Sequence, residues 1–272
     1  MSFVATTCRR VLPRHCCTSL AAAARRHAST AEAWGGSSDV HLDVRWPSLR
    51  EKLRKCDTPS LCDADKSLTP LTELRPRYQF GRGIKLVGRA RTVQTVVGRN
   101  GLPDFRNVVE ALMSSSPGEV LVIDARGSRV AVAGELFTAE ARRRQLAGII
   151  IDGACRDTPT VCRLDFPFYS RSVSPMAGVC VTLDQSLLGV PVTVSGVTVA
   201  NGDVLFGDQD GVVNLGQDMD NVELLARRAA EIRQHERLVL KEVLEHDRCL
   251  AEFMTILDSH NAAKKGGKEG AK

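Results

Sequence analysis

The spacing of apolar residues changes in a regular way through the middle of the chain. Two stretches place them three and four positions apart, which predicts amphipathic helices, and two others are short, nearly continuous apolar runs, which predict buried strands. In chain order these are FRNVVEALMSS (105–115, helix), GEVLVID (118–124, strand), GELFTAEARRRQL (134–146, helix) and AGIIIDG (147–153, strand). Because the connections are short and the strands apolar on both faces, we predict that the two strands pair in parallel through a right-handed crossover.

Flanking patterns extend this unit into an α/β fold with N-terminal helices and a long C-terminal helix. WPSLREKLRKC (46–56) is spaced as a helix, and TPSLCDADKSL offers Thr58 as an N-cap with Pro59 in the first helical position. Residues 81–97 read as a strand, and shorter strands are predicted in FPFYSRSV, VPVTVSGVTVANGD and VLFGDQDGVVNL. From Asp218 onward, apolar steps of three and four predict one long helix that packs along the body or on a neighbouring subunit.

Composition divides the chain into five parts. Residues 1–31 contain five Arg and no acid among many Ser and Ala, which is typical of a mitochondrial transit peptide. Residues 32–45 are irregular and predict a linker, 46–217 the α/β domain, and 218–260 the C-terminal helix. The Lys- and Gly-rich end, 261–272, predicts a disordered tail. We therefore expect a protein of the mitochondrial matrix, with the cytoplasm as the alternative.

The charge of the chain argues against a nucleic-acid partner. The first 31 residues carry a net charge of +5, and the stretch from Lys264 carries +3. Since the whole chain carries +5, the residues between these two segments carry −3. The positive charge thus lies in the terminal segments and forms no basic face on the predicted domain. No apolar run approaches the roughly 18 residues of a membrane span, and we expect no membrane partner.

The residue inventory of the body excludes several kinds of catalysis. Histidine is absent from 42 to 234 and lysine from 86 to 240, which disfavours Ser-His-Asp, Cys-His and Schiff-base chemistry and a His-ligated zinc centre. The six cysteines outside the first 31 residues have neither CxxC spacing nor a disulfide pattern, and we expect reduced thiols. Cys155, next to Arg156, is the one candidate nucleophile among them. No GxGxxG or Walker pattern is present, which disfavours a nucleotide site or a methyltransferase.

Arginine, acids and backbone amides remain, and they cluster in sequence at one place. Asp157 and Arg156 follow the second predicted strand, at the edge where open α/β sheets bind ligands. A single carboxylate such as Asp157 suffices for Mg²⁺ or Mn²⁺, which keep several waters. Arg156 offers a planar fork of donors to a carboxylate or keto oxygen.

Gly134 and Glu135 open the helix between the two strands. The first N–H groups of that helix, including those of Leu136 and Phe137, have no acceptor within the helix and can hold an anion. Glu135 has two interpretations: an acid that complements the helix dipole, or a group that orients Arg156 or binds water on a metal. We predict a site for a 2-oxo acid whose enolate is stabilised as a bond to carbon 3 breaks.

The segments GEVLVIDARG, GELFTAEARRRQLAGIIIDGACRD and VPVTVSGVTVANGDVLFGDQDGVV resemble the family that contains the regulator of ribonuclease activity A and the class II 4-hydroxy-4-methyl-2-oxoglutarate/4-carboxy-4-hydroxy-2-oxoadipate aldolases. The resemblance covers roughly residues 58 to 216 and implies a compact swivelling β/α/β core. An acid, twenty intervening residues and Arg-Asp mark its catalytic members, and these are Glu135, Arg156 and Asp157 in this chain. Glu135 departs from the Asp of the aldolases, which puts efficiency and substrate fit in question.

The resemblance also implies how the site works. Asp157 would bind Mg²⁺ or Mn²⁺, while Arg156 and the amides after Gly134 would hold a pyruvate-type substrate for aldol cleavage or oxaloacetate decarboxylation. Members form trimers with sites between subunits, so we expect a homotrimer or hexamer; an acid from a neighbour is expected, with Glu231 and Glu236 in the candidate region. The alternative is the other branch of the family, non-catalytic regulators that bind the RNA-degrading endonuclease or helicases. Arg156 and Asp157 together favour the enzyme.

Overall fold

The computed structural model describes residues 44–97, 101–180, 187–246 and 248–253. These residues form six helices and eleven strands. The helices are α1 (Trp46–Leu53), α2 (Thr58–Ala64), α3 (Arg106–Ser114), α4 (Glu135–Arg143), α5 (Thr158–Arg163) and α6 (Met219–His246). The strands are β1 (Arg75–Pro76), β2 (Leu86–Gln94), β3 (Val96–Val97), β4 (Pro103–Asp104), β5 (Glu119–Ala133), β6 (Gly148–Cys155), β7 (Phe168–Val173), β8 (Val192–Val194), β9 (Val197–Val199), β10 (Val204–Gly207) and β11 (Val212–Asn214).

A mixed seven-stranded sheet organises the domain, in the order β1-β7-β6-β5-β2-β10-β11. Its four central strands run parallel, with β5 between β2 and β6, and β7 beyond β6. The outer strands β1, β10 and β11 pair antiparallel. The predicted parallel pairing of the two apolar strands is confirmed: Val122 faces Ile150 and Ala133 faces Cys155, so both strands end at the same edge.

Helices and a hairpin cover the sheet and produce three apolar clusters. One face packs against α3, α4 and α5 and contains Leu121, Ile123 and Ile149 among its fully buried residues. On the opposite face, the β8–β9 hairpin covers residues such as Val122 and Ile150. The third cluster joins α1, α2 and α6 to the sheet near β10 and β11. Burial on both faces explains why the central strands are apolar at nearly every position.

Three boundaries predicted from the sequence were wrong. The N-cap of α2 is Asp57 and not Thr58, because the Asp57 carboxylate accepts the Ser60 N–H while Ser60 Oγ accepts the Asp57 N–H. The strand predicted over 81–97 begins at Leu86, since Gly81 and Gly83 adopt left-handed backbone conformations in a preceding turn. Strand β5 continues beyond residue 124 to Ala133 through irregular register shifts, which an apolar run could not indicate.

Helix α6 has two environments along its length. Apolar residues of its first three turns, such as Val222 and Leu225, are buried against α1 and α2. Farther along, the side chains of Leu238, Leu240 and Leu244 are 58%, 56% and 74% exposed. The single helix predicted over 218–260 is present from Met219 to His246, but residues 248 and 249 are not helical, so the helix is interrupted there before helical residues return at 250–253. Its packing on the body ends about half-way. Within the part of the chain that the structure describes, the helices are too short or too polar to cross a membrane.

Some predictions concern residues outside the described ranges. The transit peptide (1–31), nearly all of the linker (32–45) and the tail (261–272) belong to this group, and they stay predictions. The same is true of the C-terminal helix beyond residue 253.

Candidate active site

The predicted site residues meet at the edge where β5 and β6 end. Gly134 follows β5 directly and Arg156 follows β6, and the last residues of the two strands are paired. The Arg156 N–H donates to the Ala133 carbonyl at 3.1 Å, which fixes the chain just as it leaves the strand. The strand pairing therefore sets the distance between the start of α4 and the Arg-Asp pair.

Asp157 turns the chain back at this edge. Its backbone is left-handed, with φ 57° and ψ 31°, a conformation that Asp tolerates better than most residues. Its carboxylate Oδ2 lies 3.3 Å from Arg156 Nε and 3.5 Å from the Glu135 N–H. The turn thereby aims the carboxylate at the first amide of α4, across the strand junction.

Gly134 is required here for steric reasons. Its backbone is extended, with φ −166°, which any residue can adopt. A Cβ at this position, however, would lie 2.6 Å from Asp157 Oδ2 and 2.9 Å from Arg156 Cγ. Gly134 also provides no side-chain cap, and the first-turn amides of Leu136 and Phe137 have no acceptor within the helix. Gly134 thus lets the ion pair approach a helix terminus that can hold an anion.

A cavity of about 50 Å³ opens at this point. It has room for a few water molecules or part of a small ligand. Ten residues line it: Phe105, Ala131, Val132, Ala133, Gly134, Leu136, Phe137, Arg156, Asp157 and Ala177. Five of the six predicted site residues are among them. The side chains of Arg156 and Asp157 remain 42% and 36% exposed, so a ligand can reach both.

Glu135 is the predicted residue that does not line the cavity. It is the first residue of α4, is half-buried, and contacts Asp157 through its backbone N–H. This position suits an acid that complements the helix dipole. The catalytic role predicted for Glu135 therefore stays a prediction.

Cys155 is a poor nucleophile in this setting. Its thiol is buried and lies 3.2 Å from Ser170 Oγ. Burial raises the pKa of the Cys155 thiol above its ordinary value, and a neutral thiol is unreactive. Cys56, Cys62, Cys155, Cys162 and Cys249 carry free thiols.

The residues at the cavity fit a hard divalent cation. In the described residues the hydrogen bond and the ion pair of the Asp157 carboxylate fall on Oδ2, so Oδ1 is available as a metal ligand. No group of three or more His, Cys, Asp or Glu side chains suited to a metal occurs in the described part of the chain. Mg²⁺ commonly takes only one or two protein carboxylates and completes its shell with water and substrate. A single carboxylate beside a small cavity matches that pattern, whereas it does not match a zinc site.

Two residues of the apolar part of the cavity lining, Phe105 and Ala177, were not predicted from the sequence. Phe105 and Phe137 meet edge to face with ring centroids 5.9 Å apart, and Ala177 comes from the segment after β7. Neither Phe105 nor Ala177 lies in a motif, because each reaches the cavity from a different loop. Only their apolar character, in loops at the carboxyl edge of the sheet, could have pointed to them.

Comparison with known proteins agrees with this architecture. The sequence model of the RraA-like family, described as Aldolase/RraA, matches residues 58–214, which is more than half of the chain. The chain belongs to the RraA-like family. A relative from Halalkalibacterium halodurans, named "Putative 4-hydroxy-4-methyl-2-oxoglutarate aldolase", is 32% identical over 197 residues, 71% of this chain and 89% of the relative.

Two solved structures share the fold. RraAS2 of Streptomyces coelicolor, described as an unusual member of the RNase ES inhibitor RraA protein family, superposes with a TM-score of 0.58 at 26% identity, over 70% of this chain and 94% of that one. A protein of Pseudomonas syringae pv. tomato superposes with a TM-score of 0.61 at 24% identity, over 76% of this chain and 96% of that one. The predicted α/β core with a long C-terminal helix is therefore confirmed.

Proposed function

We propose that this protein is a divalent-metal-dependent (class II) aldolase that cleaves 4-hydroxy-2-oxo dicarboxylic acids to pyruvate and also decarboxylates oxaloacetate. The observation that carries the proposal is the meeting of Arg156, Asp157 and the open N-terminus of α4 at one cavity, with Gly134 between them. The name of the Halalkalibacterium relative supports a carbon–carbon lyase of this kind.

Each part of the cavity suits one part of a 2-oxo acid. The amides of Leu136 and Phe137 would bind the carboxylate at the helix terminus, where the dipole also favours negative charge. Arg156 would donate to the keto oxygen and to the charge that develops on it. Asp157 would hold Mg²⁺ or Mn²⁺, which when bound supplies Lewis-acid polarisation of the keto group.

The reaction that these groups favour is cleavage next to carbon 3. The bond between carbons 3 and 4 breaks and its electron pair passes into the enolate of pyruvate, while the 4-hydroxyl loses its proton and becomes a carbonyl. Protonation of carbon 3 then releases pyruvate. In oxaloacetate the same bond breaks to give CO₂ and the same enolate. Arg156 stabilises the oxygen charge common to both reactions, which is the main barrier to each.

The test is pyruvate release by the full-length protein from 4-hydroxy-4-methyl-2-oxoglutarate and from oxaloacetate, with Mg²⁺ or with chelator. We expect Mg²⁺-dependent release above the metal-only background, none above background for Asp157→Ala, and a loss of about 10²-fold or more for Arg156→Ala. Equal rates in the presence of chelator would contradict the proposal.

Asp165→Ala is the matched control for Asp157→Ala. Asp165 also has a left-handed backbone, with φ 48°, and also forms an ion pair, with Arg82 at 3.2 Å. It does not line the cavity. This variant loses the same chemical groups under similar backbone strain, and we expect it to retain activity.

The second candidate is a protein-binding regulator of RNA processing without turnover. The description of RraAS2 as a member of an RNase inhibitor family favours it. The same assays decide between the two, since a regulator would release no pyruvate from either substrate in any metal. Stable capture of an RNA-degrading endonuclease by both wild type and Asp157→Ala, with no turnover, would establish this alternative.

We also propose that the mature protein is a homotrimer or hexamer of the mitochondrial matrix. The exposed leucines of the outer half of α6 support assembly, because this helix extends its apolar residues beyond the body that covers its first turns. Light scattering on the purified full-length protein at micromolar concentration checks the assembly, and a monomeric mass would exclude it. The Arg-rich first 31 residues support import.

A further inference from the structure

The cavity has two chemically different sides. Gly134, Arg156 and Asp157 lie close together and form the polar part of its lining, where anionic oxygen atoms can bind. Phe105 and Phe137 contact each other and form the apolar part, together with three alanines at 131, 133 and 177. Within the described residues, Arg156 is the one cationic side chain that lines the cavity. A ligand must therefore place its charged atoms on one side and an uncharged part on the other.

The apolar side is held in place by backbone hydrogen bonds. The Phe105 N–H donates to the Val179 carbonyl at 2.8 Å, and the Ala131 N–H donates to the Met176 carbonyl at 2.8 Å. The Gly178 N–H returns a hydrogen bond to the Ala131 carbonyl at 3.0 Å. The segment carrying Ala177 is thus attached to β5 and to Phe105, the residue that precedes α3.

The same segment is closely packed against Pro103. A Cβ at Gly178 would lie 2.2 Å from the Pro103 carbonyl oxygen, so backbone meets backbone there. The Phe105 ring rests on Phe137 with an angle of 86° between the ring planes, which fixes both aromatic side chains. A wall built in this way cannot easily enlarge for a bulkier ligand.

We propose that Phe105 and Phe137 determine specificity at carbon 3 of the substrate, so that the enolate formed is that of pyruvate and not of a longer 2-oxo acid. This inference rests on the proposed function, because it takes the carboxylate and keto oxygen to bind the polar side. Carbon 3 then faces the aromatic wall with its two hydrogens, and the bond to carbon 4 points to the open mouth. In a cavity of about 50 Å³, a methyl group in place of one hydrogen meets the wall.

Deuterium exchange at carbon 3 tests the proposed role of Phe105 and Phe137 in a reaction that has no leaving group. Exchange breaks one carbon–hydrogen bond, leaves the electron pair in the enolate, and forms a carbon–deuterium bond with a deuteron from D₂O. Pyruvate and 2-oxobutanoate differ only by the methyl group on carbon 3. The loss of the carbon 3 proton signals in proton NMR gives kcat/KM for both acids with the full-length protein and Mg²⁺.

We expect wild type to exchange pyruvate at least about tenfold faster than 2-oxobutanoate, the usual size of discrimination by one methylene group. Phe105→Ala keeps its backbone N–H and removes the ring, and it is expected to bring the ratio of the two rates close to one. Phe137→Ala is the second variant, with the same expected direction. Leu188→Ala removes a half-buried side chain from the same apolar cluster away from the cavity, and its ratio is expected to equal that of wild type.

Saturation-transfer NMR with the same two acids measures binding independently of turnover. One outcome is that wild type exchanges pyruvate while the ratio of the pyruvate and 2-oxobutanoate exchange rates is unchanged in both Phe variants. That result would refute the specificity role of Phe105 and Phe137 and leave the proposed function standing. If wild type neither exchanges nor cleaves, the proposed function fails; a pyruvate preference in binding that Phe105→Ala abolishes would then still support the wall. If wild type shows no turnover and binds the two acids equally well, the specificity role of Phe105 and Phe137 is overturned.

Discussion

Two Arg–Asp pairs in this protein have similar chemistry and opposite surroundings. Arg233 Nε lies 2.7 Å from Asp57, and both side chains are 27% exposed. Arg233 also donates to the Lys55 carbonyl, while Asp57 caps α2 through Ser60. Arg156 and Asp157 are 3.3 Å apart and considerably more exposed. The first pair connects α6 to the turn between α1 and α2, whereas the second lies at a cavity.

The difference shows what separates a structural ion pair from a functional one. The donors and acceptors of Arg233 and Asp57 are used by neighbouring backbone and side chains, so little remains for a ligand. The carboxylate of Asp157 has its contacts on one oxygen, beside helix amides that have no acceptor within the helix. An ion pair with unused hydrogen-bonding capacity at a cavity is therefore the better indicator of chemistry.

Gly134→Ala gives the largest expected effect, on activity. The new Cβ would lie 2.6 Å from Asp157 Oδ2, so the carboxylate and Arg156 must both shift. Displacement of reacting groups by about 1 Å costs on the order of 10²-fold in rate. We expect a loss of that size in kcat/KM for pyruvate release, with the far-ultraviolet circular dichroism of wild type.

Gly216→Ala is the control for this substitution. Gly216 has φ 75° and no atoms near its Cβ position, so alanine there strains the backbone without touching the site. We expect lower stability and unchanged kcat/KM. Full activity in Gly134→Ala would mean that the position of the Arg156–Asp157 pair does not matter for turnover.

Asp57→Ala gives a smaller effect, on stability alone. Burial by itself would raise the pKa of Asp57, but hydrogen bonds from Ser60 and the charges of Arg233 and Lys85 outweigh it and lower the pKa below 3.8. Ionised Asp57 therefore stabilises the fold above that pH, and the contribution is lost as the pH falls through the folded-state pKa. We expect a loss of about 1 kcal/mol in the free energy of unfolding at pH 7.

Urea unfolding at pH 7 and below pH 4 measures this effect. The difference between wild type and Asp57→Ala should shrink in acid, and kcat/KM should not change at pH 7. Asp63→Ala removes an exposed acid from the same helix and is expected to change stability by less than about 0.5 kcal/mol. A pH-independent loss in Asp57→Ala would show that the ionised carboxylate is not what stabilises the fold.

The sequence was sufficient for the β5–α4–β6 unit and for the place of the candidate site on it. Apolar runs of strand length and an amphipathic helix between them leave one pairing that buries both strands, and that pairing puts Gly134 next to Arg156 and Asp157. The sequence was insufficient to predict where several helices and strands begin and end. The extension of β5 to Ala133 depends on register shifts, and the N-cap of α2 depends on which side chain reaches Ser60.

What the sequence determined by itself is local: the periodicities of helix and strand, the absence of histidine and lysine from the body, and the residues that follow each central strand. The tertiary structure decided the rest. It brought Phe105 and Ala177 to the cavity, placed Glu135 outside it, and left the outer half of α6 uncovered. The physical reason is that periodicity reports which face of one element is apolar, whereas a cavity wall depends on side chains from several elements whose distances only packing fixes.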